Sequence, residues 1–226
     1  MKKQTHCEKC EKPFDYEAFL LEGREIFPPT VCTPCQEAEE RDRKAKEKEA
    51  AVQSRIEAWE ALCPLNYHGT DPFRLPDSYR LAIQSWHYGP KGVGFVGDPG
   101  LGKTRAGFEI LRRHHFAGRQ VFAISSKRLS DRALEKFDDT RHIKSRARDD
   151  LAKAQHCEIL LLDDLGKGKF TERAEEELYD LLESRTSYRR PTIWTANSTG
   201  DELLAKLSAD RGAAILRRLV EFSEIL

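Results

Sequence analysis

Eight consecutive residues, Gly97-Asp98-Pro99-Gly100-Leu101-Gly102-Lys103-Thr104, match G-x-x-x-x-G-K-[ST] at every fixed position. Triphosphate oxygens need backbone N–H donors at close range, and glycine lets the backbone turn tightly enough to supply them. Lys103 would reach the outer phosphates and the Thr104 hydroxyl would face magnesium. A second set is Ile159-Leu160-Leu161-Leu162-Asp163-Asp164, an apolar run ending in two carboxylates. Asp163 is expected to share magnesium with Thr104, and Asp164 to orient or deprotonate an attacking water. The third is Thr192-Ile193-Trp194-Thr195-Ala196-Asn197. Its tip offers Asn197 to the water or γ-phosphate, with Thr195 a weaker candidate. The alternative for Asn197 is a turn or cap ahead of Ser198-Thr199-Gly200. Arg211, Arg217 and Arg218 can stabilise a transferring phosphoryl group, in their own or a neighbouring subunit's site, or form surface ion pairs.

Cys7-x-x-Cys10 and Cys32-x-x-Cys35 are separated by 21 residues. Four thiolates at this spacing can close a tetrahedron around zinc, a structural rather than catalytic site. The intervening segment is too short for an apolar core, so metal would supply most of its folding energy. His6 is a weaker ligand candidate, and two disulfides are the alternative, disfavoured in a reducing compartment. Cys63 and Cys157 read as packing residues.

These groups need a scaffold. Strands are expected over 93–96, 121–125, 159–163 and 192–196, with a short one at 222–226. Helices are expected over 104–116, 129–137, 172–187 and 200–207. Alternating strands and helices imply a parallel sheet with helices on both faces, which delivers the acids to its carboxyl edge beside the glycine loop. If the 192–196 strand lies between the first and third strands, Asn197 falls near the γ-phosphate. Residues 36–62 read as a charged linker helix that Cys63-Pro64 stops. Residues 65–76 read as irregular, with 65–73 a candidate base-contacting segment. The expected division is a zinc module at 1–38, the linker at 39–64 and a nucleotide domain at 65–226. Lys+Arg and Asp+Glu balance at 38 each, so net charge carries no information about partners. No stretch approaches the roughly 18 apolar residues of a membrane span, and the N-terminus lacks a signal peptide's apolar core, so a cytoplasmic location is expected.

The glycine loop, the Leu-Leu-Asp-Asp-Leu-Gly run at 161–166, Thr195-Ala196-Asn197 and Arg217-Arg218-Leu219 together resemble the DnaC/DnaI/IstB-type AAA+ ATPases, close to the bacterial initiator clade. The resemblance covers residue 65 to the C-terminus. It implies an α/β P-loop NTPase without a C-terminal lid, with Lys103 and Thr104 as Walker A, Asp163 and Asp164 as Walker B and Asn197 as sensor. Arg218 is then the leading trans-acting arginine, with Arg217 and Arg211 as alternatives. Asp164 stands where many such NTPases carry Glu. The resemblance further implies a slow, partner-stimulated ATPase that loads a replicative helicase, with ATP, Mg2+ and Zn2+ as ligands. The zinc module would engage the helicase, and ATP would drive homo-oligomerisation. The alternatives are a transposition ATPase acting on double-stranded DNA with a transposase, and a nucleotide-gated adaptor. Residues 127–148 carry eight Lys/Arg against four acids. By position they resemble the initiators' extra helical element along a single-strand path. Lys127, Arg128, Arg132, Arg141, Lys144, Arg146 and Arg148 are the candidate DNA contacts, against a solvated basic loop.

Overall fold

The computed structural model describes residues 2–21, 24–167, 170–197 and 200–226. The chain forms two compact units, Met1–Ile56 and Glu57–Leu226.

In the first unit β1 (Lys2–His6) pairs antiparallel with β2 (Pro13–Glu17), and β3 (Leu20–Leu21) with β4 (Arg24–Glu25). Glu25 ties the two hairpins together, accepting from the Tyr16 hydroxyl at 2.6 Å and from the Lys3 ammonium at 2.5 Å. Among the described residues of this unit, only Cys7 and Cys32 are buried. The described residues of this unit form no apolar core, as expected for so short a segment.

The helix α1 spans Thr33–Leu62. It begins three residues before the expected start, so Cys35 lies in its first turn. Pro34 is the available signal, because proline is tolerated in a helix's first turn where its missing N–H costs nothing. Residues 41–55 are all exposed. Ion pairs of Arg43 with Glu40 and Glu47, and of Lys44 with Glu40, line this solvated stretch. The boundary between the units falls within this helix, not at its end.

The second unit is built on five parallel strands: β5 (Gly92–Val96), β6 (Val121–Ser125), β7 (Ile159–Leu165), β8 (Thr192–Ala196) and β9 (Ser223–Ile225). Their order is β6-β7-β8-β5-β9. Thus β8 does lie between β5 and β7. Strand β7 is apolar throughout its first half because both faces are covered. Ile159 and Leu161 pack with Phe108, Ile110 and Leu111 of α4 (Lys103–Phe116) and with Trp59, Tyr79 and Trp86. Leu160 and Leu162 pack on the other face with Leu129, Leu178, Leu181 and Ile215. These come from α5 (Ser126–Glu135), α7 (Glu172–Ser187) and α9 (Gly212–Glu221). No described helix is long and apolar enough to cross a membrane.

Four elements depart from expectation. Residues 65–68 form a single turn, α2 (Leu65–His68), and α3 (Asp77–Ser85) follows. A complete helix, α6 (Arg141–His156), follows α5. Its buried stripe rests on Ala147 and Ala154, which pack closely but carry little hydrophobic signal among eleven polar neighbours. The helix expected over 200–207 is shorter, α8 (Gly200–Leu204).

At the sheet's opposite edge Arg185 of α7 is fully buried. Its guanidinium donates to the carbonyls of Ala154 (2.8 Å), Cys157 (3.0 Å) and Pro191 (2.6 Å) and to the Thr192 hydroxyl (3.0 Å). It therefore ties the end of α6 to the start of β8.

Candidate functional site

The chain leaves β5 at the carboxyl edge of the sheet and turns into α4 through the glycine loop. Gly100 and Gly102 take left-handed backbones (φ 90° and 85°). A Cβ on Gly102 would also lie 2.4 Å from Leu75 Cδ2, so the position excludes side chains twice over. Lys103 is buried, and its ammonium donates to the carbonyls of Gly97 and Asp98 at 2.7 Å each. Burial lowers its pKa, against the opposing pull of Asp164, Asp98 and Asp163.

The acids come from the next strand but one. The Asp163 carboxylate accepts from the Thr104 hydroxyl (2.8 Å) and from the Thr195 hydroxyl (2.7 Å), both at Oδ1. Burial nevertheless raises its pKa, outweighing these bonds. A cation there would hold it ionised. The β7–β8 register then shifts by one residue between Leu162 and Leu165. The bulge turns on Asp164, which has a left-handed backbone (φ 58°). Its freed N–H donates to Thr195 Oγ1 at 2.8 Å, and its carbonyl accepts from Ser126 Oγ at 2.6 Å. A regular strand would alternate Asp163 and Asp164 across the sheet; the bulge lets both serve one edge.

A cavity of about 310 Å³ results, bounded by Gly100, Gly102, Lys103 and Thr104 on the loop side and by Asp164 and Asn197 on the strand side. The loop, both acids and Asn197 are thus brought together. Ser198 and Thr199, which the capping alternative for Asn197 invokes, lie outside the described residues. Tyr67 and Arg105 close the cavity as well. The Tyr67 ring stacks on Phe108 at 5.2 Å, with the Arg105 guanidinium 5.4 Å from its centre. Burial, then Asp163 and Asp164, raise the Tyr67 phenol pKa. Tyr67 falls within the 65–73 segment expected to contact the base, but no local signal marked Tyr67 itself or Arg105. Thr195 is also more than a secondary candidate, because one hydroxyl serves both acids.

A larger open groove, about 710 Å³, runs along α6 and includes Arg141, His142 and Arg146. It holds no phosphate-loop group, so the smaller cavity is the better place for triphosphate chemistry. Arg141, Arg146 and Arg148 are exposed and Lys144 half-buried. The other expected DNA contacts pair with acids, and of these Arg132 is buried whereas Lys127 and Arg128 are exposed. Arg132 is buried and bonds Asp150 at 2.7 Å as well as Glu135, so it is a structural ion pair with no face left for phosphate. Arg128 shares Asp150 at 2.8 Å, and Lys127 pairs with Asp131 at 3.0 Å. Burial of an arginine against a distant acid leaves no mark in local charge counts.

Arg211, Arg217 and Arg218 lie at the start of and along α9, away from the cavity of their own chain. The Arg218 guanidinium is bonded to Glu183 and sits 4.7 Å from the Tyr179 ring centre, whereas Arg217 is exposed.

In the N-terminal unit the sulfurs of Cys7, Cys10, Cys32 and Cys35 all lie within 4.8 Å of one another, and the Cys10 and Cys32 sulfurs are 3.7 Å apart. Zinc–thiolate bonds of about 2.3 Å in a tetrahedron put sulfurs about 3.8 Å apart, so the four residues fit a metal. His6 is exposed and outside the cluster, which corrects its candidacy. The Cys32 N–H donates to Cys7 Sγ at 3.3 Å and is the main cause of the Cys7 thiol falling to about 6. Hydrogen bonding of the Cys35 thiol to the Cys32 and Cys10 sulfurs pushes it up to about 12. Four thiolates so close repel unless a cation joins them. Among the described residues no disulfide forms; Cys63 and Cys157 are buried apart.

No curated protein matches the chain. Among solved structures, the crystal structure of DnaI superposes with a TM-score of 0.60 at 18% identity, over 73% of this chain and 93% of that one. The crystal structure of the DnaC helicase loader gives 0.56 at 20%, over 72% and 98%. AMPPCP-bound DnaA from Aquifex aeolicus gives 0.51 at 16%, over 66% and 44%, so this chain spans less than half of that structure. At these identities the likeness is one of fold, and the fold is the P-loop AAA+ sheet with flanking helices. The family model for the IstB-like ATP binding protein matches residues 36–226, which takes in all but the first three residues of α1 and the whole cavity. The chain therefore belongs to the IstB-like ATP-binding protein family.

Proposed function

We propose that this protein is a cytoplasmic ATPase of the helicase-loader kind, acting in DNA replication. It binds ATP and single-stranded DNA, assembles with copies of itself, and engages a replicative helicase through its cysteine module. The observation that carries the reading is the convergence of Lys103, Thr104, Asp163, Asp164 and Asn197 on one cavity. Two of the solved structures similar in fold support it: one is a helicase loader, and another is a DnaA bound to AMPPCP and single-stranded DNA.

Lys103 exchanges the Gly97 and Asp98 carbonyls for phosphate oxygens. Thr104 and Asp163 are the residues to hold magnesium, which neutralises phosphate charge when bound. Asp164 orients the attacking water and takes its proton, and Asn197 holds that water against the γ-phosphate. Arg218 of a neighbouring copy, with Arg217 and Arg211 as alternatives, meets the charge of the transferring phosphoryl group. Arg218 must leave Glu183 to do so. The four cysteines hold zinc in a closed structural site. Arg141, Lys144, Arg146 and Arg148 neutralise DNA phosphates without reading sequence.

A second reading compatible with the IstB-like family is a transposition ATPase, one that would act on double-stranded DNA with a transposase. Binding to single- and double-stranded DNA across a salt series, with ATP present, separates the two. Preference for single strands and capture of a hexameric helicase support the loader. Preference for duplex supports the second reading. ATP binding without turnover makes the protein a nucleotide-gated adaptor instead.

A further inference from the structure

Lys167 has no part in the machinery above, yet its ammonium pairs with an acid that bounds the cavity. Its ammonium lies 3.2 Å from Asp164 Oδ2, and Asp164 bounds the cavity. The backbone puts it there. Gly166 has a left-handed conformation (φ 77°), and a Cβ on it would lie 2.8 Å from Leu203 Cδ1. The Lys167 N–H donates to the Asp164 carbonyl at 3.3 Å, closing a tight turn that folds residue 167 back over residue 164. Lys167 is otherwise largely exposed, so its four-carbon stem is free to swing.

The cations that line the cavity already have places in it, Lys103 at the phosphate loop and Arg105 at the wall. Lys103 is bonded to the loop's own carbonyls, and Arg105 is turned to the Tyr67 ring and the Thr70 hydroxyl. Lys167 is held only by an exposed ion pair with one carboxylate, an arrangement of small net worth. A γ-phosphate carries more charge than a carboxylate and offers more acceptor oxygens. Coulomb attraction scales with that charge, so the ammonium gains by transferring to it. ADP, lacking the γ-phosphate, offers no such gain.

We propose that Lys167 reads the γ-phosphate from within its own chain: it is held by Asp164 when the cavity lacks nucleotide and moves to the terminal phosphate when ATP binds. The transfer has a second consequence. It releases Asp164 Oδ2 from its ion pair, so the carboxylate becomes free to engage water only once ATP is in place. This rests on the reading that the cavity binds ATP, and it adds a specificity-determining residue to it.

Calorimetric titration of the full chain with ATP and with ADP, in magnesium, tests the proposal on four proteins. The wild type is expected to prefer ATP. Lys167→Met is expected to lose about tenfold of that preference, with ADP affinity unchanged, and Lys167→Arg to retain it. Asp164→Asn, which removes the ion pair but leaves the lysine, is expected to keep the preference or increase it. Equal weakening of ATP and ADP by Lys167→Met, or no change in their ratio, overturns the proposal. So does an Asp164→Asn variant that loses the preference as Lys167→Met does, because the lysine would then act only through the carboxylate. A wild type that binds ATP while these ratios fail sinks the Lys167 role alone. A wild type that binds neither nucleotide sinks the ATP reading with it.

Discussion

The Thr195 hydroxyl donates to Asp163 Oδ1 at 2.7 Å and, in the same position, accepts the N–H of Asp164 at 2.8 Å. One oxygen on β8 therefore sets both acids of β7. It orients the first through its proton and pins the bulge that aims the second through its lone pair. Thr195→Val keeps the shape and removes both bonds. ATP turnover is expected to fall 10- to 100-fold, while stability drops by only about 1–2 kcal/mol. Steady-state hydrolysis and urea unfolding on the same preparation check the two halves. Equal turnover in the variant would show that the bulge holds without this hydroxyl.

Arg185 answers a different question, what holds the sheet's far edge. Its donors satisfy carbonyls on α6, on the loop before β7 and before β8, so truncation leaves several buried acceptors unpaired. Arg185→Met is expected to destabilise the fold by about 3 kcal/mol. The loss should appear as a lower urea midpoint at an unchanged slope, with ATP affinity preserved in the folded protein.

His114 gives stability an acid limit. It is buried against Trp86, with ring centres 4.9 Å apart, and burial first, then Arg113 and Arg119, lower its pKa from 6.5 to about 4. The folded state thus resists the proton that the unfolded state accepts. The contribution is complete above about pH 6.5 and is lost as pH falls towards 4. After allowance for residual solvent contact it amounts to about 2 kcal/mol. Unfolding free energies at pH 7 and pH 4.5 should show this slope in the wild type and a shallower one in His114→Gln.

The cysteine module should depend on metal for its structure. In Met1–Ile56 only Cys7 and Cys32 are buried among the described residues, so nothing apolar replaces a lost ion. The purified chain is expected to carry one zinc. A chelator, or Cys7→Ser, should expose the Cys10 and Cys35 thiols to a thiol reagent and make residues 2–32 protease-sensitive. The sheet domain should keep its unfolding transition. Retention of a protected fold without metal would contradict the assignment.

Much of this site was legible because its signals are local. The glycine loop, the apolar run into Asp163 and Asp164, and the paired cysteines each occupy fewer than a dozen residues. The strands at 121–125 and 192–196 were bounded by their own turn residues. What escaped was relational. The bulge at Asp164 is a register between two strands, and no single stretch encodes it. Arg132 looked like its basic neighbours until Asp150, eighteen positions on, claimed it. Helix α6 was hidden by a stripe of alanines, whose value lies in how closely they let the helix approach. Tyr67 reaches the cavity only because Phe108 of α4 offers its ring a stacking face.

On the proposed function, the phosphate loop binds ATP while the bulged Asp164 drives its hydrolysis. Single-turnover hydrolysis of γ-labelled ATP, paired with filter binding, tests it on Lys103→Ala and Asp164→Asn. Lys103→Ala is expected to fail to bind ATP. Asp164→Asn is expected to bind ATP about as well as wild type yet to hydrolyse it at least about 100-fold more slowly. Hydrolysis by Asp164→Asn at the wild-type rate would contradict it.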